Sequence, residues 1–304
     1  MIKRAEASMD AKIKECWKKC FTMEDPRYIE YFFRNIYKPE YMYVDDEDSE
    51  IAAALCVVPH AVMFNGRVLH ASMISGVCTA PDYRNQGRMH RLIETAVDAC
   101  SHRELITLAP ASEEELLRGY GFEPLYYRSD YTLSRDEVKR ITNYGCAYEP
   151  SPIDMLKVYS SFIRRFNGYY ARDLEYFVNF KKEVNARGGK IVAYYDSKNQ
   201  IQGYASILIA GREAVMEECV YLGSVALNKL INAALQERPL VHLQVSSAEG
   251  LSRLFPDAVR KDYAGVMVRL NDAELFSRLF SQKVESLRDL AEISQRPLTM
   301  RERY

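Results

Sequence analysis

Residues 77–89 read Val77-Cys78-Thr79-Ala80-Pro81-Asp82-Tyr83-Arg84-Asn85-Gln86-Gly87-Arg88-Met89. They join a strand-like run, 71–79, to a strongly amphipathic run that begins at Arg88. A helix start leaves its first four N–H groups without intrahelical partners, and a glycine there removes the β-carbon that would hold a ligand off them. Those amides and the helix dipole favour an anion, each exposed charge–dipole contact contributing about 0.3–1 kcal/mol. Arg84 and Arg88 add cationic side chains, while Pro81 and Tyr83 stiffen the entrance. The pattern points to a coenzyme carrying a pyrophosphate, and so to group transfer. Gly76, inside an otherwise good strand, predicts a bulge whose freed N–H and C=O groups could pair with a peptide-like ligand.

The elements that must hold this loop follow from periodicity. After Gly87, Met89, Leu92, Ile93, Ala96 and Val97 recur at i, i+3, i+4, i+7 and i+8, the spacing of a helix laid on a sheet. Strands are expected from Tyr43, over 51–58, 61–64 and 67–77 with a hairpin turn at Asn65-Gly66, and over 105–108 and 126–133. A short helix over 113–120 ends at Gly121. Helical spacing also marks 13–33. The second half offers strands at 191–195, 201–209, 217–222, 240–245 and 263–270, a helix over 224–235 and a short helix over 246–254. Residues 105–113 correspond to 240–248, so the chain reads as a degenerate repeat. The copies differ at one place. Tyr221-Leu222-Gly223 runs almost directly into the second helix, without backbone to wrap a pyrophosphate.

The 304 residues exceed one average domain, and 48% hydrophobic with 27% charged residues is ordinary for a globular protein. A net charge of −1 gives no global basic surplus for nucleic acid. The seven cysteines are odd in number and form no CxxC pair. Reduced thiols in a cytoplasmic protein are expected, with no metal, no signal peptide and no membrane-spanning run.

Taken with Pro110-Ala111-Ser112-Glu113 and Gly119-Tyr120-Gly121-Phe122, the string from Val77 to Gly87 resembles the GNAT acyltransferase superfamily over about residues 40–135. Met89 departs from the small residue that closes the family's loop motif. The longer arrangement is similar to "enhanced intracellular survival"-type enzymes, shortened by their sterol-carrier-like domain. The resemblance implies an α/β (α+β) fold of two tandem GNAT-like domains, each a mixed, mostly antiparallel sheet flanked by helices. The expected division is a coenzyme-binding domain at 1–135, a connector at 136–150, a degenerate domain at 151–272 and a helical tail at 273–304.

The resemblance further implies direct acetyl transfer from acetyl-CoA to a small or lysine-like amine. Val77, Cys78 and Thr79 would hold the pantetheine arm, and Arg84, Asn85, Gln86, Gly87, Arg88 and Met89 the pyrophosphate. Ser112 would add a coenzyme contact, and an N–H near Val77 would polarise the thioester carbonyl. The family commonly places a proton-donating tyrosine where this chain has Leu117; Tyr120 and the terminal carboxylate of Tyr304 are the substitutes. Cys78 reads as a small buried hydrophobe against an acyl-cysteine, Asp82 as a turn residue, and Glu113-Glu114-Glu115 as a solvated helix start. His90 and His102 are minor candidates. A CoA-binding sensor without turnover is the alternative, a longer acyl donor is a variant of the first reading, and homo-oligomerisation is left open.

Overall fold

The computed structural model describes residues 1–47 and 50–301. In chain order the elements are β1 (Ile2–Arg4), α1 (Asp10–Cys20), α2 (Pro26–Asn35), β2 (Met42–Glu47), β3 (Glu50–Phe64), β4 (Arg67–Thr79), α3 (Arg88–Ser101), β5 (Ile106–Pro110), α4 (Glu114–Leu117), β6 (Glu123–Leu133) and β7 (Cys146–Tyr148). They continue with α5 (Pro152–Phe162), β8 (Tyr169–Tyr170), α6 (Leu174–Ala186), β9 (Lys190–Tyr195), β10 (Ile201–Ala210), β11 (Glu213–Met216), β12 (Cys219–Tyr221), α7 (Ser224–Glu237), β13 (Leu240–Ser246), β14 (Val259–Leu270), α8 (Ala273–Phe280) and α9 (Leu287–Glu292). No described helix is long and apolar enough to cross a membrane. One compact unit comprises Met1–Tyr126 with Ala264–Gln295, and the other Tyr127–Tyr263 with Arg296–Arg301.

In the first unit β1 to β4 pair antiparallel in sequence order, and β5 lies parallel to β4. Asn65 and Gly66 take φ of 45° and 78°, the left-handed pair that a tight hairpin needs. Strand β3 is continuous through Pro59, which lies past the β2 ladder ending at Met42–Cys56. Successive β3 side chains alternate between faces. Ala53, Leu55 and Val57 pack with Leu92, Ile93 and Ala96 of α3, whereas Ala54, Cys56 and Val58 pack with Ile13 and Trp17 of α1 and Phe32 of α2. The strand on the other side of β5 comes from far along the chain, with Val266–Leu270 antiparallel to β5. Phe276 and Phe280 of α8 pack on Phe64 with centroids 5.7 and 5.2 Å away.

The second unit repeats the order strand, helix, parallel strand: β11 and β13 are parallel, with α7 between them in sequence. Its sheet runs β6, β13, β11, β10, β9, β7, with β12 beside β10. Here too one strand comes from the other half of the sequence, because β13 pairs antiparallel with residues 128–133 of β6. Within the expected connector, Cys146–Tyr148 adds an edge strand beside β9.

A buried charge pair sits in this unit's core. The Arg172 guanidinium lies 4.5 and 4.4 Å from the ring centroids of Tyr159 and Tyr176 and donates to Glu218 at 2.5 Å. Glu218 also accepts from the Tyr204 hydroxyl at 2.8 Å. Burial works against the charge on Glu218, but the Arg172 and Arg301 guanidiniums hold its carboxyl below the usual range. Its stabilising contribution is therefore complete above the ordinary glutamate range and is lost as pH falls through the lowered folded value. Glu218→Ala, which leaves Arg172 buried without its carboxylate, is expected to cost about 3–5 kcal/mol in urea unfolding at neutral pH.

Candidate active site

Strand β4 ends on a kink. Ala54 faces Cys78 and Cys56 faces Ser75, so Gly76 and Val77 together stand opposite Leu55 in a β-bulge. Gly76 takes φ +60°, and a β-carbon on it would come within 2.6 Å of Trp17 Cη2 and closer still to Cζ2. That indole is pinned by stacking on Phe32, with centroids 4.5 Å apart. The β4–β5 ladder covers Ala71–Met73 against Ile106–Leu108, and β4 runs on to Thr79 beyond it. Past Met73 the two strands no longer share a ladder, which suits an extended ligand lying between them.

From Thr79 the chain makes one 3-10 turn, Pro81–Tyr83, anchored by the Ala80 N–H to Ala52 O at 2.9 Å. Asn85 and Gly87 both take left-handed φ, 62° and 69°. This reverses the chain into α3, whose N-cap Gly87 offers no capping side chain. The Arg91 N–H to Gly87 O bond, 3.2 Å, opens the helical ladder and leaves the earlier amides without intrahelical acceptors. Leu92, Ile93, Ala96, Val97 and Cys100 are buried, so the uncapped end is fixed by the packed face of its own helix.

A cavity of about 430 Å³ opens over this helix start. Of the residues singled out in the sequence, Val77, Cys78, Thr79, Arg84, Asn85, Gly87, Arg88 and Met89 wall it. Gln86 and Ser112 lie outside its wall. Gln86 accepts from Arg88 Nε at 3.0 Å, and Ser112 is exposed in the turn that follows β5. Cys20 and Phe21 at the end of α1, with Tyr83 and His90, complete the wall. Cys20 and Phe21 fall in the run 13–33 that helical spacing marks.

Arg88 departs from its expected role as a phosphate cation. Its guanidinium donates to Asp45 at 3.0 Å, contacts Glu47 and covers the Tyr83 ring at 5.1 Å. Asp45 is 4% exposed and takes the Met1 ammonium as well, at 3.1 Å. A buried carboxylate needs such partners, so the Arg88 charge is spent inside the fold. Arg84 remains a cavity cation, with its Nε donating to Thr79 O at 3.3 Å.

Tyr120 meets the cavity through His90. Its hydroxyl lies 2.6 Å from His90 Nδ1, and His90 Nε2 is 3.2 Å from Glu94. His90 thus lies between the Glu94 carboxylate and the tyrosine hydroxyl. Burial, with the Glu94 charge behind it, pushes the Tyr120 hydroxyl up, which keeps it protonated at neutral pH. Leu117 is fully buried in the α3-side core. His102 bonds Asp98 O at the opposite end of α3, 2.8 Å away. Tyr304 lies outside the described residues.

Three thiols also converge here. Cys16 and Cys20, one turn apart on α1, meet Cys78 of β4, and the three Sγ atoms lie within 4.8 Å of one another. Hydrogen bonds from the Cys16 and Cys78 thiols, with the Arg84 guanidinium nearby, lower the Cys20 thiol.

The second unit offers no matching loop. Strand β12 ends at Tyr221 and α7 starts at Ser224. Arg301 donates to Cys219 O of β12 at 2.6 Å, pairs with Glu249 and lies 4.5 Å from the Phe162 ring centroid. A side chain of the tail thus takes up the carbonyl edge that a ligand would need.

Residues 1–125 match the family model described as an acetyltransferase (GNAT) domain. The chain carries a GNAT acetyltransferase domain. Similar folds cover both units. A probable N-acyltransferase from Enterococcus faecalis is 18% identical, with TM-score 0.74 over 91% of this chain and 74% of that one. A GCN5-related N-acetyltransferase from Anabaena variabilis is 16% identical, with TM-score 0.72 over 90% and 73%. Eis1 from Mycobacterium abscessus is 14% identical, with TM-score 0.68 over 90% and 75%. No curated protein matches the sequence. The tandem arrangement of GNAT-like folds is that of the Eis-type structures.

Gly76→Ala in the GNAT domain adds a β-carbon to a left-handed residue and drives it into Trp17. The expected cost is about 2–4 kcal/mol, read as a lowered denaturation midpoint with unchanged slope.

Proposed function

We propose that the chain is an N-acetyltransferase that moves an acetyl group directly from acetyl-CoA to an amine. The observation that carries the reading is one cavity walled both by an uncapped helix start and by a bulged strand that has left its neighbour's ladder. The amides of Asn85 to Met89 would take the diphosphate, assisted by Arg84, and the backbone of Val77 to Thr79 would pair with the amide groups of the pantetheine arm. The Val77 N–H beside the bulge would polarise the thioester carbonyl.

Attack by a neutral amine forms the C–N bond and breaks the C–S bond; the nitrogen loses one proton and the departing CoA thiolate takes one. Tyr120 is the proposed donor, held by the hydrogen bond between its hydroxyl and His90 in the cavity wall; the proton released by the amine nitrogen balances the one it gives up. Such a donor contributes about 10²–10⁴-fold. We read the second unit as a degenerate copy that holds no coenzyme. A sensor that binds the coenzyme without turnover is the second reading, favoured by Leu117, an inert side chain sealed in the core.

Two measurements separate these readings. Gly87→Glu sets a carboxylate at a left-handed position over the amides and is expected to abolish calorimetric binding of CoA; retained affinity sinks the cradle. Tyr120→Phe should lower kcat by roughly 10²-fold with little change in KM for acetyl-CoA. Tight binding by the parent chain with no CoA release on any of a panel of small amines and lysine peptides would establish the sensor.

A further inference from the structure

We propose that Cys16, Cys20 and Cys78 bind one thiophilic d¹⁰ cation, Zn²⁺ being the ion to test, through three thiolate sulfurs with a fourth position open towards the cavity. The three Sγ atoms already lie within 4.8 Å of one another. In a tetrahedral site with Zn–S of about 2.3 Å the sulfurs stand roughly 3.8 Å apart, so closing on an ion takes side-chain movements of less than about an ångström. The scaffold is rigid: Cys16 and Cys20 occupy one face of α1, which packs on β3 and β4, and Cys78 follows the bulge in β4. Among the described residues no histidine or carboxylate joins the cluster, which excludes hard ions such as Mg²⁺ and Ca²⁺ and favours a soft one.

Buried cysteines are ordinarily small hydrophobes, and Cys56, Cys100 and Cys219 fit that description. The trio differs in two respects. Its three sulfurs converge on one point, and Cys20 reaches the cavity wall, which Arg84 also lines. Cys20 thus gives an ion an entry path, and Arg84 offsets the single negative charge left by three thiolates around a divalent cation. With no fourth protein donor in the cluster, the remaining coordination position falls to water or to a ligand in the cavity, as in open rather than closed zinc sites. The assignment does not depend on the coenzyme reading, because the test reads sulfur–metal bonds directly.

The full-length chain, reduced and stripped with a chelator, is titrated with Cd²⁺ while thiolate-to-metal absorption is followed in the near ultraviolet, and with Zn²⁺ against a chromophoric chelator. One ion per chain is expected. Cys20→Ser, a half-buried position at a helix end, should lose about a third of the absorption band and at least about tenfold in Zn²⁺ affinity. Cys78→Ser should weaken binding similarly, and Cys146→Ser should change neither. Circular dichroism shows whether each variant is folded; should Cys78→Ser unfold, Cys20→Ser decides alone. No thiolate band in the parent chain, or a band and affinity unchanged in Cys20→Ser, overturns the site.

Discussion

A helix that begins without a cap exposes several N–H groups, and those groups must find a partner or face a solvent-filled space. In this chain α3 begins at Gly87 with no capping side chain, and its start opens into a cavity. The arrangement is stable because the cost is local while the benefit is spread along fourteen residues: five buried side chains hold the helix to the sheet regardless of how its first turn is satisfied. Each buried aliphatic group contributes about 1.5–3 kcal/mol, well above the cost of a missing cap at about 1 kcal/mol. An uncapped helix end can therefore be maintained by packing one to three turns away.

The remaining constraints serve to aim that end. Asp45 on β2 draws the Arg88 guanidinium inward, which ties the first residue of the helix to the sheet. Gly76 lets β4 kink beneath the Trp17 ring, so that the strand leading into the loop parts from β5 where the cavity opens. Trp17, the cysteines of α1 and the end of β4 thus form one packed assembly. The thiol cluster lies within it, on elements whose positions the core already sets, which is the condition for a metal site that does not have to fold around its ion.

The second unit shows the same order of elements put to a different use. Its strand-to-helix connection is too short to curl around a phosphate. Arg301, Glu249, Glu218 and Arg172 fill its interior with paired charge instead. Paired charges of this kind add little net stability over apolar packing but are costly to break singly.

Much of the candidate site was legible in the sequence because its determinants are local. The Asn65-Gly66 hairpin, the bulge at Gly76, the glycine turn at Gly87, the apolar stripe of α3 and the missing loop before α7 depend on residues within a few positions of one another, and backbone sterics and periodicity reveal them. What the sequence could not show depends on residues far apart in the chain. Arg88 reads as a free cation until a buried Asp45 is placed beside it. Cys16, Cys20 and Cys78 read as unrelated hydrophobes until a helix is laid across a bulged strand, and Val266–Leu270 gives no sign in sequence order that it pairs with β5. Local conformation follows from each residue's own sterics, whereas charge pairing, thiol convergence and strand partnership follow from burial, which only the folded chain decides.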